Sequence, residues 1–256
     1  MTNLFLNQTL EAKRAEGKNL LIPYIMAGDG GLDILEERLA FLEACGAAAV
    51  ELGIPFSDPV ADGPVIQDAG QRALAGGTTL EGVLETLQTF QTLTIPVVFM
   101  TYFNPIYTYG IERFAKDCAS AGVSGVIIPD LPLEEEQIVT DSLNQRDISH
   151  IRLAAMTSPD ERLTAIAQRT EGFLYAVSVT GTTGARSKHD SQVKTYLQTL
   201  KTMTDAPVLA GFGISAPEQA RDLSSSCDGV IIGSKIVDAF HKGETDTIKH
   251  LIEESI

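Results

Sequence analysis

Residues 50 to 64 read VELGIPFSDPVADGP, and the three carboxylates in this stretch, Glu51, Asp58 and Asp62, are placed for proton chemistry. Glu51 stands inside an apolar run, where partial removal from water raises a carboxyl's pKa and lets it hold a proton near neutral pH. Such a group can give a proton and later take one back. Asp62 returns after a Gly/Pro-rich turn, in more polar surroundings that keep it ionised, so it can offset a developing positive charge or accept an N–H. The competing use of Glu51 is a buried ion pair, but no Lys or Arg stands at the strand ends expected beside it. Asp58 lies in the turn signature SDP, where capping backbone N–H groups is the competing role. Asp130 is either a catalyst or a group that orients one, and Tyr102 and Asn104 either line a pocket or close a turn before Pro105. The histidines, His150, His189, His241 and His250, show no metal-ligand spacing, and no nucleotide-cofactor motif or cofactor lysine is evident.

These residues need a scaffold, and the chain repeats one. Short runs rich in β-branched residues recur at 20–27, 48–53, 96–102, 125–130, 150–156, 173–179, 207–213 and 229–234. Their apolarity is continuous rather than alternating, as in a parallel sheet covered on both faces. The stretches between them read as helices: GLDILEERLAFLEAC carries apolar residues at helical spacing, and LEEEQIVTDSLNQ has acids where a first turn is expected. Eight strand–helix repeats predict a single-domain α/β chain folded as a (β/α)8 TIM barrel, whose active site lies on the loops after the C-terminal strand ends. A doubly wound sheet is the alternative, but no GxGxxG opens a helix after the first strand. The longest inter-strand segment, from the second strand to the third, contains the carboxylate motif, with Glu51 at the strand end pointing into the barrel mouth. A second long connection, TGTTGARSKHDSQ (180–192), is the expected lid.

Within a barrel, the last two strand ends are the usual place for a phosphate, held by backbone N–H groups and a helix start. AGFGIS (210–215) and GVIIGSK (229–235) each put glycine there, and Ser234 can donate a hydroxyl and open the helix KIVDAFHKG. Gly184 can cover the other side. The plainer reading makes these glycines turn formers and Ser234 an N-cap.

Composition excludes several classes of function. With 44% apolar residues in 256, the chain can bury one large core. Lys and Arg total 19 against 34 Asp and Glu, a net charge of −15 that repels nucleic acid and anionic membranes. Cys45, Cys118 and Cys227 form neither a CxxC pair nor a disulfide framework, which suits a reducing cytoplasm. Neither a signal-peptide pattern at the N-terminus nor an apolar run of membrane-spanning length is present.

The stretch VELGIPFSDPVADGPVIQ (50–67) resembles the signature of the tryptophan synthase alpha chain family along its whole length. PYIMAGD (23–29), MTYFNPIYTYG (100–110), GVIIPDLPLEE (125–135), TGTTGAR (180–186), GFGIS (211–215) and GSKIVDA (233–239) resemble further family stretches in the same order. The resemblance implies cleavage of indole-3-glycerol phosphate to indole and glyceraldehyde 3-phosphate by retro-aldol acid/base catalysis, with Glu51 and Asp62 as the catalytic acids. It implies an indole slot shaped by Tyr24, Met100, Tyr102, Ile127, Phe212 and Ile231. It implies a phosphate held by Gly184, Gly211, Gly213, Gly233 and Ser234, and contact of Thr183 with Asp62. Thr182 stands where the family has valine. The implied partner is a tryptophan synthase beta chain in an alpha2beta2 tetramer, touched by Asp58 and Pro59. Pyridoxal phosphate belongs to that partner, with no cofactor in this chain. The rival functions are a stand-alone lyase that releases free indole, a non-catalytic barrel that binds sugar phosphates or activates its partner, and a phosphosugar isomerase. The last of these lacks the expected lysine or histidine at a strand end.

Overall fold

The computed structural model describes residues 4–90, 93–177, 186–211 and 213–256, with the backbone alone for 186–190. Eight parallel strands follow one another around a closed barrel: β1 (Leu20–Met26), β2 (Val50–Gly53), β3 (Val97–Met100), β4 (Val123–Ile127), β5 (Ser149–Ala155), β6 (Leu174–Val177), β7 (Val208–Gly211) and β8 (Gly229–Ile232), with β8 closing onto β1. The described helices are α1 (Leu4–Ala15), α2 (Leu35–Ala44), α3 (Pro64–Ala75), α4 (Leu80–Thr89), α5 (Phe103–Tyr109), α6 (Ile111–Ser120), α7 (Gln137–Asn144), α8 (Asp160–Arg169), α9 (Arg186–Met203), α10 (Pro217–Ser224), α11 (Ser234–Lys242) and α12 (Thr245–Glu253). The (β/α)8 TIM barrel expected from the strand repeats is the fold observed.

Side chains alternate across each strand, so neighbouring residues serve different layers. Ile22, Val98, Ile127, Ile151, Leu209 and Ile231 meet inside the barrel. Leu21, Val50, Leu52, Phe99 and Val126 face outward and pack under the helices. Each such fully buried aliphatic side chain stabilises the fold by about 1.5–3 kcal/mol relative to exposure. Because Val50 and Leu52 face the helices, Glu51 between them must face the barrel interior. The opposite end is closed by α1, whose Leu6 and Leu10 join the interior cluster beside Leu20 and Phe173. Sequence periodicity did not reveal this plug.

Three local expectations are corrected. The fourth strand begins at Val123 and ends at Ile127, so Asp130 lies in the following turn, because Pro129 has no N–H to extend the ladder. The acids at 134–136 precede α7 and are absent from its first turn. They sit in a turn closed by the Glu135 N–H, which donates to the Pro132 carbonyl at 2.9 Å. Finally, Gly233 is the N-cap of α11 and Ser234 is its first helical residue, so Ser234 does not cap the helix.

Candidate active site

Glu51 is 2% exposed at the mouth of the barrel, level with Tyr24 on β1 and Val98 on β3. Among the described residues its Oε2 has no hydrogen-bond partner. Burial, and then the nearby charge of Asp62, push its pKa from 4.5 up to about 8. The carboxyl is therefore protonated at neutral pH and, among the described residues, faces no cation that would fix it as a carboxylate. The ion-pair alternative for Glu51 finds no counterpart among the described residues.

Asp62 reaches the same region from the loop that leaves β2. This loop ends at Gly63, the N-cap of α3, with Pro64 at the first helical position. Burial raises the Asp62 pKa, and the nearby Tyr102 hydroxyl, which favours the charged form, opposes the rise. The two acids are thus shifted in the same direction, whereas the sequence suggested that only Glu51 would move. The difference is the neighbour: the Tyr102 hydroxyl favours the charged form of Asp62, and among the described residues no donor does so for Glu51. Asp62 also lies beside the positive end of α3.

A cavity of about 730 Å³ opens at Glu51, Met100, Ile127, Leu153, Tyr175 and Val177. It continues between the turn after β4 and the outer side of β5 as far as Glu136, Arg152 and Arg162. Met100 and Ile127 thus line a space that Glu51 enters. Tyr24 is buried beside Glu51, and Ile231 belongs to the interior layer. Gly53 allows Tyr24 its place, since a Cβ on Gly53 would lie 1.9 Å from the Tyr24 hydroxyl.

Tyr175 was missed by sequence reasoning. The alternation in FLYAVSV is the signal that finds it, because it places Phe173 and Tyr175 on one face with Val177. The charges of Glu51 and Asp62 both reach Tyr175, although burial is the larger cause of its raised pKa. A Cβ on Gly211 would lie 2.3 Å from the Tyr175 ring, so these residues are in close approach. On the other side, Gly233 neighbours Tyr24, where an added Cβ would lie 3.6 Å from the Tyr24 Cβ. Two tyrosines therefore connect the carboxyl pair to the glycines at the ends of β7 and β8. Gly213 follows with φ +66°, and Ser234 is exposed at the start of α11, where the first N–H groups of a helix are available to an anion.

Other expected residues have different settings. Asp130 accepts the Phe103 N–H at 2.9 Å, which makes it an orienting group at the start of α5. Asp58 is exposed and accepts the Ser57 hydroxyl at 2.5 Å, and the neighbouring Val60 is 81% exposed. His150 is buried against Thr140, with 2.9 Å between Nδ1 and Oγ1, and has a structural role. Thr183, Gly184 and Phe212, and the first part of the expected lid, lie outside the described residues.

A model of the tryptophan synthase alpha chain family matches residues 10–255. The tryptophan synthase alpha chain of Oceanobacillus iheyensis is 60% identical over 252 residues, covering 98% of this chain and 96% of the relative. That of Bacillus cereus is 46% identical over 247 residues, covering 96% of each. Among solved structures, a tryptophan synthase alpha chain from Legionella pneumophila superposes with a TM-score of 0.87 at 33% identity, covering 100% of this chain and 96% of the other. A Mycobacterium tuberculosis tryptophan synthase superposes with a TM-score of 0.89 at 33% identity, covering 100% and 97%.

Proposed function

The chain belongs to the tryptophan synthase alpha chain family, whose alpha subunit cleaves indole-3-glycerol phosphate in tryptophan biosynthesis, and we propose that Glu51 and Asp62 carry out this cleavage here as a carbon–carbon lyase reaction. Direct rupture of the bond at indole C3 would expel a poor carbanion. Glu51 first donates its proton to C3, and Asp62 accepts the ring N–H and offsets the positive charge that develops there. Glu51, now a carboxylate, takes the proton of the glycerol hydroxyl next to the breaking bond. The bond's electrons return to the ring, and indole and glyceraldehyde 3-phosphate leave. The proton given at the start is matched by the one taken at the end, so the step balances with no cofactor in this chain.

One observation carries this reading: a buried carboxyl with an oxygen that is unpartnered among the described residues and a pKa raised to about 8 stands in the barrel mouth, where it is protonated before reaction and a competent base after it. Tyr24, Met100, Tyr102, Ile127, Ile231 and Phe212 form the apolar slot, to which Tyr175 is added. Gly184, Gly211, Gly213, Gly233 and Ser234 hold the phosphate, and Thr183 meets Asp62. Backbone N–H groups suit a chain of net charge −15 that has few cations to offer an anion. Ser234→Asp places like charge against the phosphate and is expected to raise KM about 10- to 100-fold with little effect on folding. Competition by inorganic phosphate measures this, and unchanged KM would remove Ser234 from the phosphate site.

Family membership implies a beta-chain partner. The assembly is an alpha2beta2 tetramer in which Asp58 and Pro59 touch the beta chain, and pyridoxal phosphate resides in that partner. Among the described residues no helix is long and apolar enough to cross a membrane. The site of action is the cytoplasm, and the chain acts as a single domain. Indole release from indole-3-glycerol phosphate, measured with and without a beta chain, tests activity and partnership together. Turnover should be slow alone, faster with the beta chain, and lost in the Glu51→Gln/Asp62→Asn double variant. Wild-type turnover in the double variant would refute the assignment.

A further inference from the structure

Glu51 is held by a barrel strand, whereas Asp62 sits on a loop with neither helix nor strand between Gly53 and Pro64. Ile54 N–H anchors the start of this loop on the Met100 carbonyl at 2.9 Å. Beyond it, among the described residues, two hydrogen bonds fix the part that carries Asp62. Gln67 donates to the Asp62 carbonyl at 2.8 Å, and Ala61 N–H donates to the Tyr102 hydroxyl at 3.0 Å. The first comes from the helix that continues the loop, so only the second ties this part of the loop to the barrel. Tyr102 is 1% exposed, and its ring packs on Phe56 with centroids 5.3 Å apart. Its backbone is the N-cap of α5, whose first N–H, that of Phe103, is held by Asp130 at 2.9 Å. A phenol oxygen that accepts one N–H keeps its own proton to favour a nearby negative charge, and the Tyr102 hydroxyl acts on the Asp62 carboxyl in that sense.

We propose that Tyr102 is a positioning residue of the reaction, whose hydroxyl grips the Ala61 N–H and aims the Asp62 carboxylate at the substrate nitrogen, with Asp130 holding Tyr102 in place. This rests on the assignment of Asp62 made above and gives Tyr102 a task beyond walling the apolar slot. Tyr102→Phe keeps the ring and removes the hydroxyl that accepts the Ala61 N–H and favours the charged form of Asp62. The loop then loses its tie, and Asp62 loses the donor that favours its charged form. The titratable and charged groups acting on Asp62 or on Tyr102 are Glu51, Tyr24 and Tyr175 from the strands and Asp130 from the turn after β4. None of these supplies a replacement positive charge.

The test compares wild type, Tyr102→Phe and Asp130→Ala as full chains with saturating beta chain, following kcat and KM for indole-3-glycerol phosphate across pH. For Tyr102→Phe, kcat should fall about 10- to 100-fold, KM should stay within about twofold, and the acidic limb of kcat should move to higher pH. Asp130→Ala should shift both in the same direction by less. On the residual turnover of Asp62→Asn, adding Tyr102→Phe should cost nothing more. A raised KM with kcat and the acidic limb unchanged would mean that Tyr102 is only a wall and would overturn the proposal. So would an equal fall in the Asp62→Asn background. Full turnover in Asp62→Asn alone would overturn the assignment of Asp62 and this proposal with it.

Discussion

Glu51→Gln is expected to lower kcat by about 10²- to 10⁴-fold while making the folded chain progressively more stable, relative to wild type, as pH rises. The amide can neither give nor take the proton, and its shape leaves the slot unchanged, so KM should move little. The stability change follows from linkage. In the fold Glu51 holds its proton up to about pH 8, whereas in the unfolded chain it ionises near 4.5. Its contribution to stability is therefore fully present below about 4.5 and is lost as pH rises through about 8. A window of roughly three and a half pH units, at about 1.4 kcal/mol each, caps this loss at about 5 kcal/mol. The substituted glutamine has no such dependence, though its amide N–H groups enter a site where Oε2 lacks a partner among the described residues, which costs about 1–3 kcal/mol. Urea unfolding of both chains at mildly acidic and mildly alkaline pH should show a difference that grows with pH. A constant difference would mean that Glu51 is not protonated in the fold. The wild-type acid step should also fail as pH rises through about 8, seen as an alkaline limb in kcat/KM.

Arg152→Ala should cost about 3–5 kcal/mol of stability, the cost of leaving a buried charge without its partner. Arg152 faces outward from β5 and is 7% exposed, with Nε 2.7 Å from Glu136 Oε2. Arg169 holds the other oxygen of Glu136 at 3.2 Å. Arg152 also donates to the carbonyls of His150, at 3.0 Å, and of Arg169. Burial by itself would raise the Glu136 pKa, but the hydrogen bonds and charge of Arg152 outweigh it and leave the carboxyl below its usual range. For a chain of this length the loss corresponds to a fall in Tm of roughly 6–20 °C. A fall of under about 1 kcal/mol would show that Arg169 alone can hold Glu136.

The same cluster makes wild-type stability sensitive to acid. Burial and the charge of Arg152 hold the His150 pKa down at about 4, against 6.5 in the unfolded chain, and the charge of Glu136 opposes them. Between these values the unfolded chain takes up the proton and the fold does not, so stability is complete above about 6.5 and declines as pH falls toward 4. Glu171 accepts the backbone N–H of His150, not its ring, at 2.9 Å. In Arg152→Ala the repulsion is gone and this acid dependence should weaken. Turnover at neutral pH should change by less than about tenfold, because no charge of the cluster is among those acting on Glu51 or Asp62.

The legible part of the molecule was the part written in local pattern. Eight apolar runs announced eight strands, and the placement of Val50 and Leu52 around Glu51 was enough to turn that carboxyl inward. Strand ends were less legible, as at Pro129, where the apolar pattern runs on after the ladder stops. The acids at 134–136 read as a helical first turn because charge near a helix start is a local signal. Glu136 instead serves arginines that lie at 152 and 169, and no local signal carries that pairing.

The sequence by itself determined the barrel, the order of its strands, the inward face of β2 and the acids and glycines at its C-terminal ends, because alternation and turn chemistry act between near neighbours. Only the tertiary structure decided that Glu51 lacks a partner among the described residues, that Tyr102 holds the loop of Asp62 through the Ala61 N–H, that Tyr175 lies against Gly211 and that Asp130 orients α5. Those properties depend on the exclusion of water and on atoms from separate strands meeting within a few ångströms, and both arise only when the barrel closes.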